Sequence, residues 1–268
     1  MLNQELQNEI NALWNRKDAL DGSDIYVIEN VMKKLDSGEL RIAQKSDGKW
    51  YVNEYLKRAI LLYFKSHKSQ LMPSSDGNFF DKVPLKMSNW KQNDFEQCEF
   101  RAVPGAIVRH SAYIAKHVVL MPCFVNVGAY VDEDTMIDSH ALVGSCAQIG
   151  KRCHISDSVT IGGVLEPIQA NPVIVEDDCF IGAKSVVTEG AIIGEGSVIS
   201  AGTIITGSTK IIDRESGEIF YGNVPSHSVV VPGTYVSKNN LSISCAVIIK
   251  KVSLETKKKT SINELLRD

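Results

Sequence analysis

The chain has 268 residues, a net charge of −3, a pI near 6.1 and 44% hydrophobic residues. That balance offers no global basic field for nucleic acid, and no apolar run approaches the roughly 20 residues that cross a bilayer. The polar, acidic start MLNQELQNEI is unlike a signal peptide and points to a cytoplasmic protein. None of the six cysteines stands in CxxC spacing, which argues against zinc or disulfide frameworks.

Residues 1–100 read as an α-rich N-terminal domain. Leu2 to Leu20 and Ile25 to Leu35 show helical apolar spacing, and Tyr55 to Phe64 carries Leu56, Ile60, Leu61 and Phe64 on one face. Between them Ile42 to Val52, with Asp47-Gly48 at its centre, has the chemistry of a hairpin. Ser74-Ser75-Asp76-Gly77-Asn78 has the composition of a loop.

From 101 to 210 the chain beats every six residues. Ile107, Tyr113, Val119, Val125, Val131, Ile137, Val143, Ile149, Ile155 and Ile161 stand in one register, and Val175, Ile181, Val187, Ile193, Ile199 and Ile205 resume it. Four positions after most of them comes a small residue, such as Cys123, Ala129, Ala141, Ala147 or Cys153. A fixed period of this length means a solenoid whose units bury their apolar residues only by stacking on neighbours. Residues two apart share a face of a strand, so each aliphatic residue and the small residue two before it point inward while the rest turn a corner. Three units close a triangular coil, and sixteen units give about five coils of a parallel β-helix. In this register Tyr113 takes an aliphatic slot and His117 a small one, both near the open first coil.

The Gly- and Pro-rich stretch 162–174 interrupts the beat, two residues longer than two whole repeats, and reads as an excursion at a corner. Such loops often line a binding site in solenoids; a tolerated insertion is the equal alternative. Residues 211–268 read as a C-terminal β segment: a hairpin turn at 213–218, a strand from Leu241 to Val252 and a short helix from Ile262 to Leu266. Together they would cover the exposed edge of the last coil.

Hexapeptide prisms of this kind resemble acyltransferases that use acyl-CoA or acyl-carrier protein, and the left-handed winding is expected from that resemblance. Flat faces that trimerise leave grooves in which a pantetheine arm can lie against small residues. Gly182-Ala183-Lys184 and Ser200-Ala201-Gly202 suit such a wall, although corners need glycine and alanine anyway. The six histidines show no short spacing repeated around the coils, so no metal site is expected. His140 and His154 could act as bases, but an ordinary polar surface or interface position is the favoured explanation for each. Lys250, Lys251 and Lys257-Lys258-Lys259 form the dense basic segment and could meet CoA phosphates or remain solvated.

More specific words follow: Phe80-Asp81-Lys82-Val83-Pro84, the run from Val119 to Asp138, Gly144 to Gly150, Ile161 to Pro167, Cys245-Ala246-Val247-Ile248 and Ile262 to Arg267. Together they closely resemble the tetrahydrodipicolinate N-succinyltransferase family over nearly the whole chain, the helical N-terminal domain included. The resemblance implies transfer of succinyl from succinyl-CoA, a cosubstrate and not a tightly bound cofactor, to the amine of tetrahydrodipicolinate as water opens the ring. The product would be N-succinyl-2-amino-6-oxopimelate, in bacterial diaminopimelate and lysine biosynthesis. It also implies a homotrimer with active sites between subunits.

Residue by residue, Arg101 matches the family's substrate-binding arginine and Asp138 its substrate-binding acid, the first candidate for orienting or deprotonating the amine. On spacing alone Asp138 is one of several outward polar residues, with Asn126 and Asp132 in the same slot. His140 stands where members often carry an aromatic residue, and Val186 where many carry a glutamate. A second catalytic carboxylate would then be Glu189 or Glu166, with Glu189 the nearer. Gly182, Ala183, Lys184, Ala201, Gly202 and Lys250 are the candidate CoA contacts. An acetyl-CoA-dependent N-acetyltransferase and a non-enzymatic trimeric scaffold are the alternatives.

Overall fold

A computed structural model describes residues 2–74 and 77–253. The expected terminal helix at Ile262–Leu266 and the lysines 257–259 lie outside the described residues.

Three helices build the N-terminal domain: α1 (Leu2–Asn15), α2 (Gly22–Asp36) and α3 (Glu54–Ser66). The first is shorter than its apolar spacing suggests. Asp21 starts a new helix, accepting from the backbone N–H groups of Ser23 and Asp24 while Asp24 accepts from its own. This reciprocal box satisfies donors that a helix leaves unpaired. β1 (Ala43–Ser46) and β2 (Lys49–Val52) form the expected hairpin, with Asp47 and Gly48 both at positive φ as a two-residue type I′ turn requires. A second hairpin, β3 (Gln70–Ser74) with β4 (Gly77–Asp81), flanks the stretch expected as a loop. A short helix, α4 (Gln92–Cys98), leads to the prism.

The prism is wound from two-residue strands, beginning with Arg101–Ala102, that pair in parallel on three faces. The first face stacks Arg101–Ala102, Val119–Leu120, Met136–Ile137, His154–Ile155, Phe180–Ile181 and Val198–Ile199. The second runs from Ile107–Val108 to Ile204–Ile205, and the third from Tyr113–Ile114 to Asn223–Val224. The second and third faces hold six strands each, the sixth on the third face, Asn223–Val224, coming from beyond the repeats.

The first coil corrects the sequence register. Val125 lies over Val108, Val131 over Ile114 and Ile137 over Leu120, pairs seventeen residues apart. The next coil repeats at eighteen, as in Val143 over Val125. The inward residues at the start are therefore Val108, Ile114 and Leu120, each at most 4% exposed, while Ile107 is 39% exposed. One residue is missing from the corner between Leu120 and Val125, and Ala112 and Val118 fill the small inward slots. Tyr113 thus never occupies an aliphatic slot: it faces outward, beside Tyr130 and the N-terminal domain. Gly38, at φ +77°, lets that domain approach, since a Cβ there would sit 2.7 Å from the Tyr113 ring. His117 turns a corner at positive φ and fills no inward slot.

From Val125 onward the sequence register holds, and the inward aliphatics are essentially inaccessible. Inward hydroxyls are satisfied across coils: Thr135 Oγ1 donates to the Gly150 carbonyl at 2.8 Å, and Ser197 Oγ to that of Pro225 at 3.1 Å. Cys123, Cys153 and Cys179 fill small inward positions as compact hydrophobes, and burial pushes the Cys123 thiol up to about 12. Gly144 permits close stacking of coils, because a Cβ would fall 2.1 Å from the Gly163 nitrogen.

The excursion at 162–174 leaves the prism at the corner between Thr160–Ile161 on the second face and Ile174–Val175 on the third. Val175 lies over Ile149, twenty-six residues on, so it adds eight residues to a normal step rather than two to a double one. Val164 and Ala170 rest on the prism core, and Leu165 packs into the core of the N-terminal domain. Lys57 of α3 is fully buried and donates to the carbonyls of Pro167 at 3.2 Å and Ala170 at 2.8 Å. Burial lowers the pKa of its ammonium. In this chain the excursion is a joint between domains. Replacing Lys57 with methionine fills the same space but removes the donor to the Ala170 carbonyl, while that of Pro167 keeps the Ala170 N–H at 3.1 Å; urea unfolding should show a loss of about 2 kcal/mol.

The chain leaves the prism at Lys210–Asp213, which pairs antiparallel with Ile219–Tyr221. It then returns: Asn223–Val224 extends the third face, and Ser228–Val236 starts on the first. Ser242–Lys251 pairs antiparallel with that last strand and parallel with Lys210–Asp213, covering the end of the first face.

Candidate active site

The edge between the first and second faces holds most of the candidate residues. Each first-face strand is followed by a corner: Asp138-Ser139-His140, then Ser156-Asp157-Ser158, Gly182-Ala183-Lys184 and Ser200-Ala201-Gly202. Backbone bonds run along it, from Ser158 N–H to the Ser139 carbonyl, Lys184 to Asp157 and Gly202 to Ala183, at 2.9, 3.0 and 2.9 Å. At ~4.8 Å per rung, Asp138 and Ala201 stand roughly 14 Å apart along one ridge. Above Asp138 that ridge is lined by small residues. Gly182 is required by the stacking itself, since a Cβ would lie 2.5 Å from the Ala201 nitrogen. Gly202 has open space where a Cβ would point, so its smallness serves the outer surface or its own positive φ.

Asp138 is held at the foot of this ridge. Its N–H donates to the Ile155 carbonyl at 2.8 Å, and its Oδ1 accepts the Ser139 N–H at 2.7 Å. Its Oδ2 lies 3.6 Å from Nε2 of His154, which projects from the next coil of the same face. The His154 ring meets the Phe180 ring in an edge contact at 5.1 Å. Burial pushes the imidazole below its ordinary value, against the opposing pull of Asp138. His140 turns the Asp138 corner at φ 60°, with Nδ1 3.3 Å from Asp157 Oδ1.

Arg101 is exposed on the first face, two rungs before the level of Asp138, and Lys250 is exposed at its far end, opposite Val229. These two lie toward the ends of the face that carries Asp138. Glu189 lies elsewhere: it is exposed, at φ 55°, on the edge between the second and third faces. Glu166, in the excursion, belongs to that same edge. Within one chain the structure does not bring either carboxylate to the Asp138 edge.

A pocket of about 410 Å³ opens on the remaining edge, between the third and first faces, under the β1–β2 hairpin. Several of its charged groups are already engaged. Glu176 accepts from Lys45 at 2.6 Å and from the Trp50 indole at 2.7 Å, and Arg41 donates to Gln148 at 2.8 Å and stacks on Tyr130. It is a second joint with the N-terminal domain. Sequence reading passed over Lys57 and Arg41, whose partners lie more than a hundred residues away. It weighed His154 but had no signal for its pairing with Asp138.

A solenoid of this repeat, with one edge of small residues ending at a carboxylate, defines a hexapeptide-repeat acyltransferase. The description "Tetrahydrodipicolinate N-succinyltransferase N-terminal" matches residues 5–65, and "Hexapeptide repeat of succinyl-transferase" matches 172–207. The 2,3,4,5-tetrahydropyridine-2,6-dicarboxylate N-succinyltransferase of a Wolbachia species from Brugia malayi is 53% identical, over 99% of both chains. That of Bradyrhizobium diazoefficiens is 52% identical over 98% of both. A Campylobacter jejuni structure, solved as a candidate 2,3,4,5-tetrahydropyridine-2-carboxylate N-succinyltransferase, aligns with a TM-score of 0.56 at 19% identity. It covers 90% of this chain and 64% of its own, and supports the left-handed β-helical fold. The chain belongs to the 2,3,4,5-tetrahydropyridine-2,6-dicarboxylate N-succinyltransferase family.

Proposed function

We propose that the protein transfers succinyl from succinyl-CoA to the amine of tetrahydrodipicolinate, opened by water, giving N-succinyl-2-amino-6-oxopimelate and CoA in diaminopimelate and lysine biosynthesis. The observation that carries this reading is Asp138 at the foot of the small-residue ridge, in a chain that matches named N-succinyltransferases from end to end. The neutral amine attacks the thioester carbonyl; the N–C bond forms, the C–S bond breaks, and the proton that Asp138 takes from the amine passes on to the departing thiolate. Asp138 orients the amine and takes its proton, a role worth typically 10²- to 10⁴-fold. Arg101 grips a substrate carboxylate through two parallel hydrogen bonds. Gly182, Ala183, Lys184, Ala201 and Gly202 form the wall for the pantetheine arm, and Lys250 meets a CoA phosphate.

The working form is a homotrimer with sites between subunits. The outer column of the second face, Ile107, Phe124, Leu142, Thr160, Val186 and Ile204, is mostly apolar, and Ile204 is 58% exposed in the single chain. A neighbour seated there would cover it. Glu189, on another edge of its own chain, serves as second carboxylate only across such a boundary. No helix among the described residues is long and apolar enough to cross a membrane, and we place the enzyme in the cytoplasm.

Thiol detection tests the reaction. CoA should be released only when succinyl-CoA and tetrahydrodipicolinate are both present, and acetyl-CoA should replace succinyl-CoA poorly. No release by trimeric protein rejects the proposal; equal rates with acetyl-CoA reassign the donor.

A further inference from the structure

We propose that His154 is a positioning residue for Asp138, its Nε2–H holding the Oδ2 oxygen so that the carboxylate meets the amine in one orientation. The inference rests on the succinyltransferase reading and adds a residue to its site.

Three observations converge. His154 Nε2 is buried and makes no hydrogen bond among the described residues. Asp138 Oδ2 lies 3.6 Å away, a few tenths of an ångström beyond bonding range. The ring is wedged against Phe180, so it cannot swing out to water without losing that contact. A buried polar atom left unpaired costs about 1–3 kcal/mol. That cost is relieved most directly by a small contraction toward Asp138, and such bonds are often long before substrate binds.

The chemistry fits the need. Asp138 is fixed at one oxygen by the Ser139 N–H, but a carboxylate tied once can still tilt about its outer torsion. A second donor on Oδ2 removes that freedom and leaves the outward lone pairs for the amine. A neutral imidazole carries one N–H and one acceptor nitrogen, and burial favours the neutral ring here. The arrangement therefore calls for the tautomer protonated at Nε2. Met136 and Phe180, the strand neighbours of His154 on either side, bring no competing charge.

Two variants and one spectroscopic measurement test this on the full-length protein. His154→Phe keeps the apolar contact but removes the donor; kcat should fall roughly 10- to 100-fold, with KM for succinyl-CoA and the unfolding midpoint unchanged. His154→Gln offers an amide N–H at a similar reach and should recover most of the lost kcat. A kcat within twofold of wild type in His154→Phe overturns the proposal, as does a folded His154→Gln no better than His154→Phe. Nitrogen-15 NMR should find His154 protonated at Nε2, with its signal moving in Asp138→Asn; protonation at Nδ1 overturns the proposal whatever the activity. A wild-type protein that releases no CoA rejects the parent reading, while the tautomer still reports on His154.

Discussion

Asp138→Asn should lower kcat by about 10²- to 10⁴-fold, the range lost with a placed general base, while leaving the thermal midpoint nearly unchanged. The asparagine side chain has the same shape and can still accept the Ser139 N–H that Oδ1 accepts now. On the proposed mechanism it loses the negative charge beside the amine and the basic oxygen that takes its proton. Little stability depends on that charge, because the side chain is 29% exposed and its hydrogen-bonded partner is a backbone N–H on the same corner. KM for succinyl-CoA should hold, since the small-residue wall lies on later coils. Measurement of CoA thiol release at saturating substrates separates these effects. Activity within a few-fold of wild type would remove Asp138 from the mechanism.

Asp36→Ala should destabilise the protein by about 3 kcal/mol, the lower end of the cost of breaking a buried ion pair. Asp36 closes α2 and reaches the prism. Its carboxylate takes Lys86 Nζ at 2.7 Å and the Ser111 N–H at 2.8 Å, and lies 3.2 Å from His110 Nδ1. Lys86 is only 6% exposed, so the truncation leaves its ammonium without a countercharge, held by the residue 36 carbonyl and the Trp90 ring. Burial raises the Asp36 pKa, but His110 and Lys86 outweigh it and hold the carboxyl below its ordinary value. An unfolded aspartate titrates near ~3.9. Between the two values the unfolded chain binds more protons, so stability falls as pH drops through that window. The contribution of Asp36 is complete above about pH 4 and disappears as the depressed folded value is passed. Urea midpoints at pH 7 and across the acid range should show a large loss for Asp36→Ala and a flatter acid limb for Asp36→Asn.

The prism was legible in the sequence because its coils repeat an inward aliphatic residue that cannot be buried any other way. The slip in the first coil was not, because Val119 and Leu120 are both apolar and both buried. A grid of six cannot reveal which of them points inward. Pairing settles it: Met136 lies over Val119, and Ile137 over Leu120. The Asp138 edge was half legible. Gly182, Ala183, Ala201 and Gly202 share the spacing that puts Asp138 there, whereas Glu189 is adjacent only in reading and not in space. His154 was weighed as a base, but its pairing with Asp138 was not legible, because it depends on how successive coils stack, a distance no single stretch of sequence encodes.

The joints between domains bear on the order in which the molecule assembles. The N-terminal domain is synthesised first, yet its partners come late: Gln148 lies 107 residues after Arg41, Ala170 113 after Lys57 and Glu176 131 after Lys45. Contacts of such long sequence separation form slowly, because a large loop must close before they give anything back. The helices can therefore settle on the third face only once the fourth coil has been wound. During synthesis they wait with Leu40, Ile42 and Ile60, buried in the finished protein, still without the prism to cover them. The part of the chain made earliest is among the last to reach its final place, and a truncation that stops before the excursion strands it there.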